Sequence, residues 1–303
     1  MLTRRTFLTS TGALTLGAPA ILKSAPAPLT TLGLIADAQY ADVEAENTRF
    51  YRASIEKLGS AVEHFNRQEL AACLHLGDLI DRDWRSYDAI LKPLAASRHH
   101  FHHLLGNHDF DVAVEYKNRV PERLGLARRY SHFDLPGFRL VMLDSNDLST
   151  YARLPGTSEH AAATAALQQA KDAKLPHAQP WNGGFGPAQL QWFDRICSEA
   201  AAQQLKVIAF SHHPVFPANA LNLWNSETVL ALVSRHRHLV AWFNGHNHTG
   251  NFGLHDGVPF VNLKGMVETA DTSAFSTLAL HAERLILTGQ GREISRELTF
   301  RKA

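Results

Sequence analysis

The residues of this chain that are best suited to bind metal ions fall into five short clusters between positions 37 and 248. Carboxylate and amide oxygens suit hard cations such as Mn²⁺ and imidazole suits Fe, Zn and Cu, so a mixed set favours transition-metal ions. The clusters are Asp37-Ala38-Gln39, Gly77-Asp78-Leu79-Ile80-Asp81-Arg82, Gly106-Asn107-His108-Asp109, Ser211-His212-His213-Pro214 and Gly245-His246-Asn247-His248. One such cluster would be weak evidence, whereas five in one chain predict a metal site.

The ligand types indicate a pair of divalent cations. Two cations about 3.5–4 Å apart need a bridging carboxylate, and such a pair brings the pKa of bound water towards neutrality, which supplies a nucleophile for phosphate-ester hydrolysis. Asp78 is the predicted bridge, because it follows a glycine that permits a tight turn. The other predicted ligands are Asp37, Gln39 and His248 for one cation, and Asn107, His212 and His246 for the second. His213 is the alternative to His212 as a ligand, and of the two we favour His212.

Three further residues are candidates for catalysis. His108 lies next to a predicted ligand but is better placed to face the substrate. A neighbouring carboxylate, Asp81 or Asp109, would orient it and keep it protonated, so that it could stabilise phosphoryl oxygens or protonate the leaving group. Arg82 offers a fork-shaped donor for a phosphate oxygen, and a surface salt bridge is the alternative explanation. The candidate catalytic residues are therefore His108, Asp81 and Arg82.

Buried strands are expected to position these clusters, because each cluster follows a short apolar run. The runs occupy residues 32–36, 74–76, 101–105, 207–210 and 240–243. The ends of parallel strands lie at one edge of a sheet, where open α/β folds place their functional sites. The five clusters are therefore expected to meet at one edge.

The remaining pattern predicts an α/β fold. Helices are expected near 48–67, 84–97, 187–204 and 226–236. The chain after Gly250 is predicted to form five strands. A parallel α/β half that leads into an antiparallel half predicts a four-layer αββα sandwich of two mixed sheets flanked by helices. The excursion 146–186 is long for a connection and is predicted to be an insertion at the active site.

Composition limits the classes of partner. The chain has 303 residues, 45% of them hydrophobic, which is enough for one large core or two small ones. A net charge of +1 with 19% charged residues gives no basic field, which argues against long nucleic acids as partners. Two cysteines, Cys73 and Cys197, cannot form a disulfide framework and are expected to be buried thiols.

The first 27 residues have the pattern of a signal peptide rather than of the fold. Arg4 and Arg5 form a twin-arginine start, a weakly apolar stretch follows, and small residues at 18–20 and 25–27 offer cleavage sites. An uncleaved anchor is the alternative, but the stretch is short and weakly hydrophobic for a span. We therefore expect export by the Tat machinery, a periplasmic or secreted location, and no stable membrane association after cleavage.

Together the five clusters resemble the motifs of the calcineurin-like metallophosphoesterases, D-x-H, G-D-x-x-D-R, G-N-H-[DE], a later His and G-H-x-H. The resemblance runs from residue 30 to about 270 and implies one metallophosphoesterase domain over 28–303. It also implies that His108 is the acid or charge stabiliser. The ligands that the resemblance implies are Asp37, Asp78, Asn107, His212, His246 and His248.

Gln39 stands where most members of this superfamily have His. That departure, together with Trp181-Asn182-Gly183-Gly184 and Gly265-Met266-Val267-Glu268-Thr269, resembles the manganese-dependent ADP-ribose/CDP-alcohol diphosphatases. The resemblance implies a small nucleotide diphosphate ester as substrate and two divalent ions, Mn²⁺ first, with Fe or Zn as alternatives. An amide oxygen is harder and weaker than imidazole, which agrees with Mn²⁺.

Several alternatives stay open at this point. An exported phosphomonoesterase or a general phosphodiesterase is the nearest rival, and a non-catalytic scaffold of the same fold is a remote one. Trp181, Phe185 and Trp224 could stack on a nucleobase, and core packing would explain them equally well.

Overall fold

The computed structural model describes residues 27–301. The predicted signal peptide, 1–27, lies almost wholly outside the described residues and therefore stays a prediction. Within 27–301, no helix combines the length and the apolar character that crossing a membrane requires.

Twelve strands and six helices make up the described part of the chain. The strands are β1 (Thr30–Ile35), β2 (Ala72–His75), β3 (Phe101–His103), β4 (Ser131–Leu135), β5 (Phe138–Met142), β6 (Lys206–Phe210), β7 (Leu239–Asn244), β8 (Asn251–His255), β9 (Val258–Asn262), β10 (Ala274–Leu280), β11 (Arg284–Gly291) and β12 (Arg296–Thr299). The helices are α1 (Ser54–Asn66), α2 (Ser86–Ala95), α3 (Val120–Arg123), α4 (Ser158–Asp172), α5 (Pro187–Ala202) and α6 (Ser226–Arg235). Short 3₁₀ turns cover His108–Phe110 and Val114–Arg119.

The strands form two six-stranded mixed sheets. The first has the order β12-β11-β10-β1-β2-β3 and the second the order β4-β5-β6-β7-β9-β8. Neighbours β1, β2 and β3 are parallel, as are β5, β6, β7 and β9. The C-terminal antiparallel strands do not form a sheet of their own: β8 and β9 complete the second sheet, and β10 to β12 complete the first.

Apolar faces of the sheets determine the layers. Leu34, Leu74, Phe210 and Phe243 belong to one cluster between the two sheets, and all are buried. The outer face of the first sheet packs on α1 and α2, and that of the second packs on α5 and α6. Burying each large apolar side chain contributes about 1.5–3 kcal/mol, so these three clusters hold the layers together. The predicted four-layer sandwich is confirmed.

Helix α1 begins later than the sequence predicted, at Ser54 rather than near residue 48. The preceding residues form a tight turn, here called the clasp, in which Glu46 and Arg49 exchange both backbone hydrogen bonds, each 3.0 Å long. Asn47 in this clasp has a φ of 53°, which a helix does not allow. The clasp lies beside the predicted metal site.

The excursion 146–186 contains α4 and a loop that follows it. Thr157 caps the helix by accepting from the N–H of His160 at 3.2 Å. One face of the helix packs on Trp224 through a small apolar cluster. The loop then returns to the edge of the second sheet and carries Trp181 and Asn182 to the predicted site.

Candidate metal centre

The carboxyl ends of five strands bring the predicted ligands together. Asp37, Asp78 and Asn107 follow the parallel strands β1, β2 and β3, and His212 and His246 follow β6 and β7. Ligand atoms of Asp37, Asp78 and His212 lie within 4.8 Å of one another, and all three side chains are fully buried. Residues from both sheets thus meet at one edge, as the sequence predicted.

The loops that carry the ligands have unusual backbone conformations. Asp37, Gln39, Asp78 and His246 have φ values of 54°, 44°, 58° and 69°. A residue other than glycine in this left-handed region costs of order 1–3 kcal/mol, and such strain concentrates at functional sites. The strain is offset by backbone hydrogen bonds between the loops, such as that from Gln39 N to Asp78 O at 2.9 Å.

Glycine is required where two of these loops approach. A Cβ atom on Gly106 would lie 2.1 Å from Asp78 Oδ1. A Cβ on Gly77, whose φ is 94°, would lie 2.5 Å from His212 Nδ1. Any side chain at either position would displace a predicted ligand, so the glycines of these motifs have a steric role.

His212 is oriented for coordination. Its Nδ1 donates to the carbonyl of Leu76 at 2.8 Å, which fixes the tautomer. Its Nε2 then points to Asp78 Oδ2 and Asn107 Oδ1, both at 3.2 Å. A ring nitrogen that faces a carboxylate and an amide oxygen is the arrangement expected of atoms that share a cation.

His213, the alternative ligand, has both ring nitrogens in use. Its Nε2 donates to the carbonyl of Trp181 at 3.2 Å, and its Nδ1 accepts from Ser145 Oγ at 2.7 Å. Burial and the neighbouring His212 lower the pKa of His213 to about 3, so the ring is neutral. The geometry therefore favours His212 as the ligand.

His246 and His248 are oriented by oxygen acceptors. His246 Nε2 donates to Asn182 Oδ1 at 3.0 Å, which leaves Nδ1 as the nitrogen available to a metal. Burial lowers the pKa of His246 well below its usual value, and a neutral ring is what coordination requires. His248 Nδ1 donates to Glu268 Oε1 at 2.7 Å, and its Nε2 faces Asp37 Oδ1 at 3.8 Å.

Glu268 is a residue that the ligand prediction missed. Its hydrogen bond to His248 lowers the pKa of the carboxyl group to about 2, so the group is ionised. A carboxylate that holds a histidine in this way usually raises the affinity of the histidine for a metal. Lys57 anchors the loop of Glu268 by donating to the carbonyls of Met266 at 2.6 Å and Thr269 at 3.0 Å.

The charge of the cluster attracts cations. Burial alone would lower the pKa of His212, but Asp78 and Asp37 raise it to about 9. Burial raises the pKa of Asp78, yet His212 and His108 outweigh that effect and hold it well below its usual value. Buried charges require compensation, so the site favours positive charge strongly.

A divalent pair fits this donor set. Gln39 Nε2 donates to Asp78 Oδ2 at 3.0 Å, while Gln39 Oε1 is buried and has no hydrogen-bond partner among the described residues. An unpartnered buried oxygen costs about 1–3 kcal/mol unless a ligand binds it. That oxygen, the two carboxylates, the Asn107 amide and the imidazoles would supply ligands to two cations. The ligand assignments remain predictions, and the geometry supports them.

His108 is oriented by Asp81. Its Nδ1 lies 3.2 Å from Asp81 Oδ1, and its backbone N–H donates to Asp78 Oδ1 at 2.7 Å. Burial lowers the pKa of His108, but the charges of Asp78 and Asp81 outweigh burial and raise it. Asp109, the alternative partner, instead accepts from the backbone N–H groups of Asp78, Leu79 and Gly106. The structure therefore selects Asp81.

Two arginines lie in the cleft above the site. Arg82 forms an ion pair with Glu46 and donates to the hydroxyl of Tyr51 at 3.2 Å, so the salt bridge left open by the sequence is present. Arg49, which sequence reasoning did not single out, lies 3.9 Å from Asp81 Oδ2. Both arginines line a cavity of about 760 Å³, which is also lined by five of the predicted ligands, namely Gln39, Asp78, Asn107, His246 and His248.

The three aromatic residues that are candidates for stacking on a nucleobase differ in how exposed they are. Phe185 is 1% exposed within the core of the second sheet. Trp224 is 5% exposed, and its Nε1 donates to the carbonyl of Gln179 at 2.9 Å. Trp181 is 47% exposed and lines the cavity. Of these three residues, Trp181 alone lines this cavity.

The fold and this cluster define a metal-dependent phosphoesterase. The chain belongs to the calcineurin-like phosphoesterase family, whose model matches residues 31–250. It is 32% identical over 319 residues to a manganese-dependent ADP-ribose/CDP-alcohol diphosphatase of Danio rerio, with 90% of this chain and 99% of the relative covered. A human protein of the same name is 30% identical over 332 residues, covering 94% and 96%.

A solved structure agrees with this result. The crystal structure of a dimetal phosphatase from Danio rerio matches with a TM-score of 0.82 and 30% identity, covering 90% of this chain and 100% of that one. The family resemblance recognised from the five motifs is therefore confirmed.

Proposed function

We propose that this protein hydrolyses the diphosphate group of a nucleotide diphosphate ester such as ADP-ribose or a CDP-alcohol, releasing AMP or CMP. The observation that carries the proposal is the convergence of the predicted ligands around Asp78, with the free Gln39 oxygen among them. The names and full-length coverage of the relatives support the substrate class.

A pair of divalent cations, Mn²⁺ first, would be held by Asp37, Gln39, Asp78, Asn107, His212, His246 and His248. When bound, the pair supplies Lewis acidity and activates water for attack on phosphorus. Gln39 in place of imidazole favours Mn²⁺ over Zn²⁺.

The protein's own residues then act on the substrate. Asp81 holds the ring of His108 through Nδ1, and the charges of Asp78 and Asp81 favour the protonated ring, in which Nε2 also carries a proton towards the phosphoryl group. Water adds to one phosphorus, the bond from that phosphorus to the bridging oxygen breaks, and each product is a phosphate monoester. A nucleotide phosphate departs with little help from an acid, so His108 here stabilises charge on the phosphoryl oxygens. With a poorer leaving group the same proton would be transferred to it.

The two arginines contribute to binding. Arg49 and Arg82 both line the cavity and offer planar donors that match phosphate oxygens. Arg82 is already paired with Glu46, so a substrate phosphate must compete with that carboxylate. Arg49 has the weaker contact, 3.9 Å to Asp81, and is the freer donor of the two.

The test is product identity. Protein reconstituted with Mn²⁺ is assayed against ADP-ribose, CDP-choline, cyclic nucleotides, glycerophosphodiesters and p-nitrophenyl phosphate. We expect AMP with ribose 5-phosphate from the first, and CMP with phosphocholine from the second. Turnover of p-nitrophenyl phosphate alone would support a phosphomonoesterase instead, and loss of turnover with all substrates would support a scaffold.

The same proposal includes export by the twin-arginine route to the periplasm or beyond, with the mature protein free of the membrane. The support is the pattern around Arg4 and Arg5. Changing both residues to Lys should retain the protein in the cytoplasm, as measured by cell fractionation. Equal export of the variant would contradict this part of the proposal.

A further inference from the structure

Two hollows open onto His108 and Asn107. The larger one, of about 760 Å³, contains both arginines and is called the arginine hollow. The smaller one, of about 320 Å³, is called the aromatic hollow. The residues that line it and not the larger one are Phe110, Lys117, Tyr151 and Pro180. Trp181 borders both hollows.

The two hollows differ in chemistry. The arginine hollow is lined by guanidinium and carboxylate groups, including those of Arg49 and Glu268. In the aromatic hollow the hydroxyl of Tyr151 donates to Asn146 Oδ1 at 2.6 Å, and the ammonium of Lys117 donates to the carbonyl of Tyr151. Apart from Asn107, His108 and Asp111, which it shares with the arginine hollow, these polar groups are already partnered, and its exposed ring is that of Trp181, because Phe110 is 1% exposed.

Trp181 lies on a loop segment that is anchored beside the metal centre. Its carbonyl accepts from His213 Nε2 at 3.2 Å. The next residue, Asn182, accepts from His246 at 3.0 Å and donates to the carbonyl of Ala220 at 2.8 Å. The segment is therefore anchored through the Trp181 carbonyl and the Asn182 side chain, while 47% of the tryptophan surface remains exposed.

This exposure is distinctive within the described part of the chain. The other exposed large hydrophobic residues there line neither hollow; they are Leu29, Val114, Phe252, Leu254 and Ile294. Single exposed apolar side chains are ordinary on protein surfaces. A large aromatic ring that is exposed on an anchored segment at the mouth of a metal centre instead indicates a surface for ligand stacking.

We infer that the aromatic hollow is the nucleobase subsite, with the base stacked on the indole of Trp181, and that the arginine hollow receives the other half of the substrate. The inference rests on the proposed function, since it divides a nucleotide diphosphate ester between the hollows on either side of His108. Stacking on an aromatic ring tolerates any base, because every base has a π face. Adenine and cytosine nucleotides should therefore both bind.

The test measures binding to the Mn²⁺-loaded protein by calorimetry with two ligands, AMP and ribose 5-phosphate. Both carry a phosphate on a ribose, and AMP alone carries a base. Trp181→Ala should weaken AMP binding by about 10-fold or more, the effect of removing one base-stacking ring. Binding of ribose 5-phosphate should change by less than about twofold, because it has no base to stack.

Two further variants control the experiment. Trp181→Phe keeps a stacking ring and should restore most of the AMP affinity. Phe252→Ala removes an exposed ring that lines neither hollow and should leave both affinities unchanged. Equal weakening of both ligands in Trp181→Ala, or unchanged AMP binding, would overturn the assignment.

Failure of the subsite and failure of the proposed function give different results. If the wild-type protein hydrolyses ADP-ribose while Trp181→Ala binds AMP as tightly as wild type, the subsite is wrong and the function stands. If the wild type hydrolyses no diphosphate ester, the function is wrong. Binding of AMP and ribose 5-phosphate still reports on the subsite in that case, because calorimetry does not require turnover.

Discussion

Glu268 should determine how tightly the protein binds the cation for which His248 is a predicted ligand. The carboxylate accepts from His248 Nδ1 at 2.7 Å, and the opposite nitrogen faces Asp37. Hydrogen bonds to charged groups contribute about 1.5–3 kcal/mol, and partial exposure of Glu268 places this one in the lower half of that range. Loss of such a partner lowers metal affinity by about 10–100-fold.

Two substitutions separate the contribution of the negative charge of Glu268 from that of its hydrogen-bond acceptor. Glu268→Gln keeps an acceptor and loses the charge, so the dissociation constant for Mn²⁺ should rise by about 10-fold. Glu268→Ala loses both, and a loss of about 2 kcal/mol should raise the dissociation constant by about 30-fold. The loop should keep its position, because Lys57 is bonded to the carbonyls of Met266 and Thr269, not to the Glu268 side chain.

The assay is a titration of the metal-stripped variants with Mn²⁺, in which binding is measured by calorimetry and recovery by activity. The control is Glu283→Ala, an exposed position on the turn between β10 and β11. At saturating Mn²⁺ the variants should recover most of their activity, since Glu268 acts through His248. Wild-type Mn²⁺ affinity in Glu268→Ala, or a loss of activity that Mn²⁺ does not restore, would refute this reasoning.

The other residue predictions concern the acid and the amide ligand. His108→Ala should reduce hydrolysis of esters with poor leaving groups by about 10²–10⁴-fold more than hydrolysis of p-nitrophenyl esters, because general acid help matters most for the former; steady-state rates that fall equally on both would remove the acid role. Gln39→His should raise activity with Zn²⁺ or Fe²⁺ relative to Mn²⁺, since imidazole is a softer ligand than an amide oxygen. An unchanged metal profile would mean that Gln39 is not a ligand.

Much of the architecture could be predicted from short patterns. The apolar runs before Asp37, Asp78 and His212 correspond to β1, β2 and β6, because a buried parallel strand is a short apolar run whose end carries the turn residues. The αββα layers followed from the same pattern. The assignment of antiparallel strands to sheets did not, because β8 to β12 have similar local patterns and the pairing depends on contacts distant in sequence.

Side-chain partnerships were harder to predict. Asp109 is the immediate neighbour of His108 in sequence, yet Asp81 is its partner, because Asp109 is occupied by three backbone N–H groups. Glu268 reaches His248 across the hairpin of β8 and β9, a contact with no periodic signal. The position of Arg49 depends on the clasp with Glu46, whose turn conformation interrupts an apparently helical pattern.

Whether each of the three aromatic candidates is buried or exposed also could not be predicted from the sequence. Phe185, Trp224 and Trp181 lie in loops or near helix ends with no clear hydrophobic period. Burial of the first two follows from packing on α4 and on the second sheet, which local sequence does not encode. Trp181 is 47% exposed on a loop whose carbonyl at that residue accepts from His213, a contact distant in sequence.

The most direct test of the metal centre is a crystal structure of the Mn²⁺-loaded protein with anomalous data collected at the manganese edge. Two anomalous peaks should lie about 3.5–4 Å apart on either side of Asp78, with Gln39 Oε1 directed at one of them. Asp78→Asn should lose both peaks and the activity together. An active enzyme with a single peak, or with manganese bound away from Asp78, would contradict the account.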